Sequence, residues 1–326
     1  MKKFLVILIL SLNLLALSAH AQQPIRMILD TDMDSDVDDA GALAMLHTLM
    51  DHRIVDVLGI IVTSDDPYAP SCTDAINHYY GRPGIPIGAQ KGNKMLEQSR
   101  YTKQIAAEFP HKIKKYDDAE EATVLYRKLL AAQPDSSVVL VTIGHLTNLQ
   151  KLLESGPCQY SPLNGVELVA RKVRLWSCMG GNYPEGKEAN FYRPDPQSTV
   201  VSLAKYPGKV VFSGWELGNK VLTGGQYLKK SIPSDSPVWR AYQLYNDFAG
   251  RPSWDQTSIL YAVARPEAYW ESEVNGSNSV TEDGSNKWVY GKAGNHAFLK
   301  EKMNPEEVAK IIDALMAGIF SPEYLK

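Results

Sequence analysis

Cysteine is scarce in this 326-residue chain, which has only Cys72, Cys158 and Cys178. An odd number at wide spacings, with no CxxC pair and no companion histidines, excludes a zinc site and a disulfide framework, and allows at most one bridge. Cys178 lies beside a glycine pair, but no histidine context makes it a nucleophile, so a buried structural cysteine is expected there. A surplus of positive charge is also missing. Lysine and arginine number 34 against 37 acids, and a net charge of −3 provides no field to hold a polyanion, so nucleic acid is excluded as a partner. Repeats, low-complexity tracts and stretches of linker composition are absent, which favours one large domain over two.

The only long apolar run is N-terminal. MKK, the run from Phe4 to Leu17 and the small-residue end Ala19, His20, Ala21 have the pattern of a secretory signal peptide over 1–21, with cleavage before Gln22. The run is shorter than the ~20 residues of a spanning helix. A secreted or periplasmic protein is therefore expected, with 22–326 as its functional domain and no membrane attachment after cleavage.

After that segment, apolar strands alternate with helical patterns. IRMIL (Ile25 to Leu29), Ile54 to Thr63, Gly84 to Gly88, Ser137 to Ile143, Val166 to Trp176 and Lys209 to Gly214 read as strands. Asp38 to Asp51, Ser71 to Tyr80, Ala119 to Ala132, Leu146 to Leu153 and Gln197 to Lys205 read as helices. The last third reads as more helical, over Pro237 to Ala249, Asp255 to Ala264 and Asn304 to Ala317, interrupted by a polar hairpin around Glu282 to Ser285. Continuous rather than alternating apolar strands mean that both sheet faces are covered. The expected fold is thus an α/β domain with a mainly parallel central sheet flanked by helices. Ligands of such sheets bind beyond the carboxyl ends of the strands, here in the loops after Leu29, Val62, Ile143 and Trp176.

The first of these loops is unusual. DTDMDSDVDD sets Asp30, Asp32, Asp34, Asp36, Asp38 and Asp39 at a strand-to-helix junction. Helix capping accounts for Asp38 and Asp39; the others need a counter-charge. A hard divalent cation with oxygen ligands is the natural one, and a crowded oxygen set suits Ca²⁺ better than the stricter octahedron of Mg²⁺. An EF-hand fails, because its glycine and glutamate positions hold Ser35 and Gly41 and the loop follows a strand. A haloacid-dehalogenase-type phosphatase would take Asp30 as nucleophile and Asp32 as acid/base, but Asp34 stands where it needs Thr or Val and no GDxxxD follows.

The stretch MILDTDMDSDVDDAGAL resembles the N-terminal signature of the inosine-uridine-preferring nucleoside hydrolase family in its longer form, DTDxxxDxDDAxAL. Three later blocks strengthen the resemblance, in order: VLVTIGHLTNL (Val139 to Leu149), MGGNYPEGKEANF (Met179 to Phe191) and WDQTSILYAV (Trp254 to Val263). The resemblance implies a calcium-dependent hydrolase that cleaves the N-glycosidic bond of ribonucleosides and assembles as a homo-oligomer. Asp32 would be metal ligand and general base; Asp39, Asp255 and the backbone carbonyl of Ile143 would complete the protein ligands. Asp38, Glu188 and Asn190 would hold the ribose hydroxyls, and Asp65 or Asp66 would stand where many members have a ribose-binding Asn. Asp30, Asp34 and Asp36 would lie in an outer shell.

Such chemistry is coherent on physical grounds. An oxocarbenium-like state needs an activated water, a hold on the sugar and help for the departing base. One departure concerns that help: the well-studied members have a His before the late Asp, thought to protonate the leaving base, and this chain has Trp254. Trp254 can stack on a leaving group or simply pack. The alternatives are a hydrolase of another N-riboside, a non-catalytic metal-dependent nucleoside or sugar binder, and the phosphatase.

Overall fold

The computed structural model describes residues 23–34, 36–91, 99–291 and 294–326. The segment expected to be a signal peptide lies outside these residues. Among them, no helix is long and apolar enough to cross a membrane.

The first strand, β1 (Ile25–Thr31), is followed by α1 (Asp38–Asp51), β2 (Val55–Val62), α2 (Ala69–Tyr79) and the short β3 (Ile87–Ala89). Next come β4 (Glu120–Glu121), α3 (Ala122–Ala131), β5 (Val138–Thr142), α4 (Thr147–Glu154), α5 (Gly165–Lys172) and β6 (Val173–Met179). The rest of the frame is α6 (Pro196–Lys205), β7 (Val210–Ser213), α7 (Trp254–Val263), β8 (Trp270–Glu273), β9 (His296–Glu301) and α8 (Pro305–Met316). Nine strands form one sheet in the order β8-β9-β7-β6-β5-β1-β2-β3-β4. All neighbours run parallel except β8 against β9.

The strand order positions the site. From β1 the chain steps outward through β2, β3 and β4, then returns to pair β5 against the other side of β1. The order reverses between β1 and β5, and a crevice opens beyond the carboxyl ends of such a pair.

Alternation along β1 separates the two cores. Met27 and Leu29 pack with α1, α7 and α8, while Ile28 packs on the opposite face with Tyr126, Leu140 and Leu149. Asp30 shares the face of Ile28, and its carboxylate accepts from Tyr126 Oη at 2.6 Å and Asn148 Nδ2 at 3.3 Å.

Two sequence expectations are corrected. Val166 to Trp176 is not one strand: α5 occupies its first half, because Asn164 and Glu167 form a reciprocal cap (Glu167 N to Asn164 Oδ1 2.9 Å, Asn164 N to Glu167 Oε2 3.0 Å). The last third holds the three expected helices, over Pro237–Asn246, Trp254–Val263 and Pro305–Met316, but also strands that the sequence reading missed. Besides the hairpin Gly276–Val280 and Ser285–Tyr290, it contributes β8 and β9 to the main sheet. Cys72 and Cys178 are buried, Cys158 is exposed, and all three are free thiols.

Candidate active site

A cavity of about 390 Å³ lies at the carboxyl ends of β1, β2, β5 and β6. The loop after β1 supplies Asp32, Asp34, Asp36 and Asp38 to its lining, and that after β2 supplies Asp65. The turn after β5 adds Ile143 and His145, and the segment after β6 adds Glu188 and Asn190. Trp254 and Asp255, at the start of α7, complete the acidic part. Every site residue inferred from the sequence is there except Asp30, turned to the opposite sheet face, Asp39 and, of the two acids after β2, Asp66.

Asp32 sits against the turn that follows β5. A Cβ at Gly144 would come within 2.7 Å of the Asp32 backbone nitrogen and 2.9 Å of its carboxyl carbon, so only glycine allows this approach. Asp39 does not border the cavity: Thr31 Oγ1 donates to its Oδ1, yet its charge is near enough to Asp32 to raise that carboxyl. Asp34 accepts from Ser64 Oγ, and Asp36 pairs with Arg251 at 2.6 Å. Asp38 Oδ2 accepts from the backbone N–H of Trp254 at 3.1 Å and of Asp255 at 3.2 Å, and so caps α7 from across the chain. Among the described residues, Asp38 Oδ1, Asp39 Oδ2 and Asp65 Oδ2 are buried without a partner.

Burial raises the pKa of this cluster first, and mutual repulsion raises it further. Asp32 is pushed well above the ordinary carboxylate range by burial, then by Asp39, Asp34 and Asp36. Asp38 and Asp39 are raised by burial and then by Asp36, and Asp255 by burial and then by Asp38, Asp39, Asp36 and Asp32. Asp34 rises to about 7, chiefly through burial. Such groups stay ionised only with positive charge nearby. Among the described residues no three acidic, histidine or cysteine side chains are already gathered into a closed coordination cluster. The carboxylates face a shared cavity without being drawn together.

The sugar-binding candidates are firmly held. Glu188 accepts from Gly181 N at 3.0 Å and Asn190 N at 2.8 Å, fixing a turn in which Gly181 has φ +81°. Burial lifts the Glu188 carboxyl to about 7. Asn190 Nδ2 donates to the carbonyl of Ile143 at 3.2 Å, leaving that oxygen a second lone pair. Of the two acids after β2, Asp65 faces the cavity, whereas Asp66 accepts from Tyr68 N at 2.7 Å and Thr102 Oγ1 at 3.2 Å near the start of α2. Trp254 both packs and lines: its Nε1 donates to the carbonyl of Trp215 at 3.0 Å, its ring lies against Gly218, and it borders the cavity. Cys178 is no nucleophile, since burial pushes its thiol up.

Sequence reasoning missed several lining residues. His145 follows Gly144 directly and was within reach of the motif; it is half-buried, contacts Thr147 Oγ1 at 3.2 Å, and burial lowers its pKa to about 3. Arg100, Arg193, Trp215, Tyr245 and Arg251 also line the cavity. Only Arg251, three residues before Trp254, had a signal in its position.

The profile of the inosine-uridine preferring nucleoside hydrolase family matches residues 27–314. No curated protein is matched by sequence. Among solved structures, the plant nucleoside hydrolase PpNRh1 superimposes with a TM-score of 0.67 at 18% identity, over 90% of this chain and 99% of the other. The inosine-uridine preferring nucleoside hydrolase from Bacillus anthracis gives 0.67 at 14% identity, over 90% and 99%. The type III effector protein XopQ, solved with adenosine diphosphate ribose, gives 0.65 at 14% identity, over 94% and 95%.

Proposed function

The chain belongs to the inosine-uridine-preferring nucleoside hydrolase family, a family of N-glycosidases, and from that premise we propose that it is a calcium-dependent hydrolase splitting ribonucleosides into base and ribose with Asp32 as general base. The observation that carries the reading is the meeting of Asp32, Asp38 and Asp255 with Glu188 and Asn190 around one cavity.

The donor set fits a calcium ion. It consists of oxygens, it is buried, its carboxylates repel one another, and one of their oxygens, Asp39 Oδ2, has no partner among the described residues. Asp32, Asp39, Asp255 and the Ile143 carbonyl would hold the ion. When bound, it supplies positive charge that acidifies water and chelates two cis-hydroxyls.

Asp32 takes the proton of the attacking water at its carboxylate, in a position that the close contact with Gly144 defines. The free oxygen of Asp38 accepts from a ribose hydroxyl while its other oxygen keeps α7 in place. Glu188 and Asn190 hold the far end of the sugar, and Asp65 borders the same space. Trp254 covers the leaving group but cannot protonate it, because an indole N–H is a donor of negligible acidity. The N-terminal 21 residues, read as an export signal, place this activity outside the cytoplasm, with nucleoside salvage as its use.

The test is incubation of the purified protein with a panel of nucleosides and Ca²⁺, measuring free ribose, beside Asp32→Asn. Release of ribose that falls by at least about 10²-fold in the variant is the expected result. Binding of nucleosides without release would assign a binding protein, and a variant within a few-fold of wild type would move the base elsewhere.

A further inference from the structure

The cavity has a second set of lining groups that ribose cleavage leaves unused. The guanidinium of Arg251 lies 4.9 Å from the ring centroid of Trp254 and 5.4 Å from that of Tyr245; that of Arg100 lies 4.9 Å from the same Tyr245 ring. Arg100, Tyr245, Arg251 and Trp254 thus form a continuous stack of cations and rings, ending beside Asp255. The charge of Arg251 is matched by Asp36. That of Arg100 is not. Arg100 is exposed, donates to the Tyr245 carbonyl at 3.2 Å, and has no carboxylate partner among the described residues. A guanidinium has five N–H donors in a fork that fits a carboxylate or phosphate, and here it lies over an aromatic ring at the edge of a cavity.

We propose that the natural leaving group is a flat heteroaromatic ring bearing a carboxylate, which Arg100 binds while the ring occupies the cavity that Trp254 and Tyr245 border. This rests on reading the cavity as a ribosidase site. The sugar is the wrong place for the anion, because Asp38, Glu188 and Asp255 would repel it there. A carboxylated pyridinium riboside also suits a site whose leaving-group wall offers an indole and no acid. Water adds to the anomeric carbon, the C–N bond breaks with its electron pair going to the ring nitrogen, the pyridinium becomes a neutral pyridine, and the proton of the water goes to Asp32. No proton has to reach the leaving group.

Nicotinic acid riboside and nicotinamide riboside differ only in a carboxylate against a carboxamide, and provide the test. Calorimetric binding and ribose release are measured for both, and binding of nicotinamide riboside 5′-phosphate beside them, with wild type, Arg100→Gln and Arg100→Lys. We expect the acid to bind at least about tenfold more tightly than the amide, the scale of a charge-assisted hydrogen bond. Arg100→Gln should bring the ratio to near one, through affinity and KM more than kcat, and Arg100→Lys should restore part of it. Equal binding of acid and amide overturns the proposal, as does a preference for the acid that survives Arg100→Gln. An Arg100-dependent preference for nicotinamide riboside 5′-phosphate, with none for the carboxylate, moves the anion to the sugar and overturns it too. Ribose release from neutral nucleosides without a preference for the acid sinks this inference alone. Preferential, Arg100-dependent binding of the acid with no release from any riboside supports it and sinks the ribosidase reading instead.

Discussion

Asp38 performs two tasks that a pair of substitutions can separate. Its Oδ2 accepts from the first two N–H groups of α7, at 3.1 and 3.2 Å, and its charge sits among Asp36, Asp39 and Asp255. Asp38→Ala removes both the acceptor and the charge. Losing a helix cap costs about 0.5–2 kcal/mol, and leaving buried donors unpaired adds about 1–3 kcal/mol. Relief of burial and repulsion offsets part of that, for a net loss of roughly 1–2 kcal/mol in the absence of cation. At about 2 °C per kcal/mol for a chain of this size, Tm should fall by about 2–4 °C. Asp38→Asn keeps an oxygen acceptor and removes only the charge, so its Tm in EDTA should equal or exceed that of wild type. Differential scanning calorimetry in EDTA and again in Ca²⁺ is the assay. In Ca²⁺ the wild type should overtake the Asn variant, which has one negative charge fewer beside the ligand Asp255. If Ala and Asn shift Tm in EDTA by the same amount and sign, Asp38 acts through charge alone and does not hold α7.

Three other outcomes are expected. Chelation should lower the Tm of the wild type by about 8 °C as ribose release stops, since a ligand at 1,000 times its Kd adds about 4 kcal/mol; an unchanged Tm would remove the cation from the site. Trp254→His should raise turnover of inosine selectively, whereas wild type should favour p-nitrophenyl riboside, whose phenolate leaves without protonation; an efficient wild-type rate on inosine that persists at alkaline pH would show another proton donor. Asp313, half-buried and accepting from Gly224 N at 2.9 Å, has its carboxyl raised to about 6 by burial. Its protonated form is the one that the fold favours, so its contribution is complete below the ordinary value of 3.8 and is lost as pH rises through about 6. Asp313→Asn should therefore be the more stable form at neutral pH, by on the order of 1 kcal/mol, with the difference closing below pH 4; a pH-independent difference would rule this out.

The architecture was largely legible because its signals are local. The helix read over Asp38 to Asp51 has those bounds, and all four loops named as the place for chemistry reach the cavity. The direction of Asp30 was legible too, since the two-residue period of a strand sets it on the face of Ile28 and away from Leu29. Other features were hidden by competition or by distance. The apolar residues Val166, Leu168 and Val169 suit a strand as well as a helix, and the reciprocal cap of Asn164 and Glu167 decides the matter. The stack of Arg100, Tyr245, Arg251 and Trp254 exists only once packing brings remote segments together, so no spacing in the sequence announces it. The same holds for Glu188: its type and place were readable, but not that two backbone N–H groups already occupy its oxygens.

The cap between Asp38 and α7 joins groups 216 and 217 residues apart in the chain. Contacts so remote exist only in a chain that has closed the whole loop between them. The acidic loop is thus complete only where α7 has docked. A chain stopped before residue 254 would keep the six aspartates of the first loop but have no Asp255 and no helix end to face them. The site therefore depends on both ends of the chain, and a truncation that spares every residue of the acidic loop would still leave it incomplete.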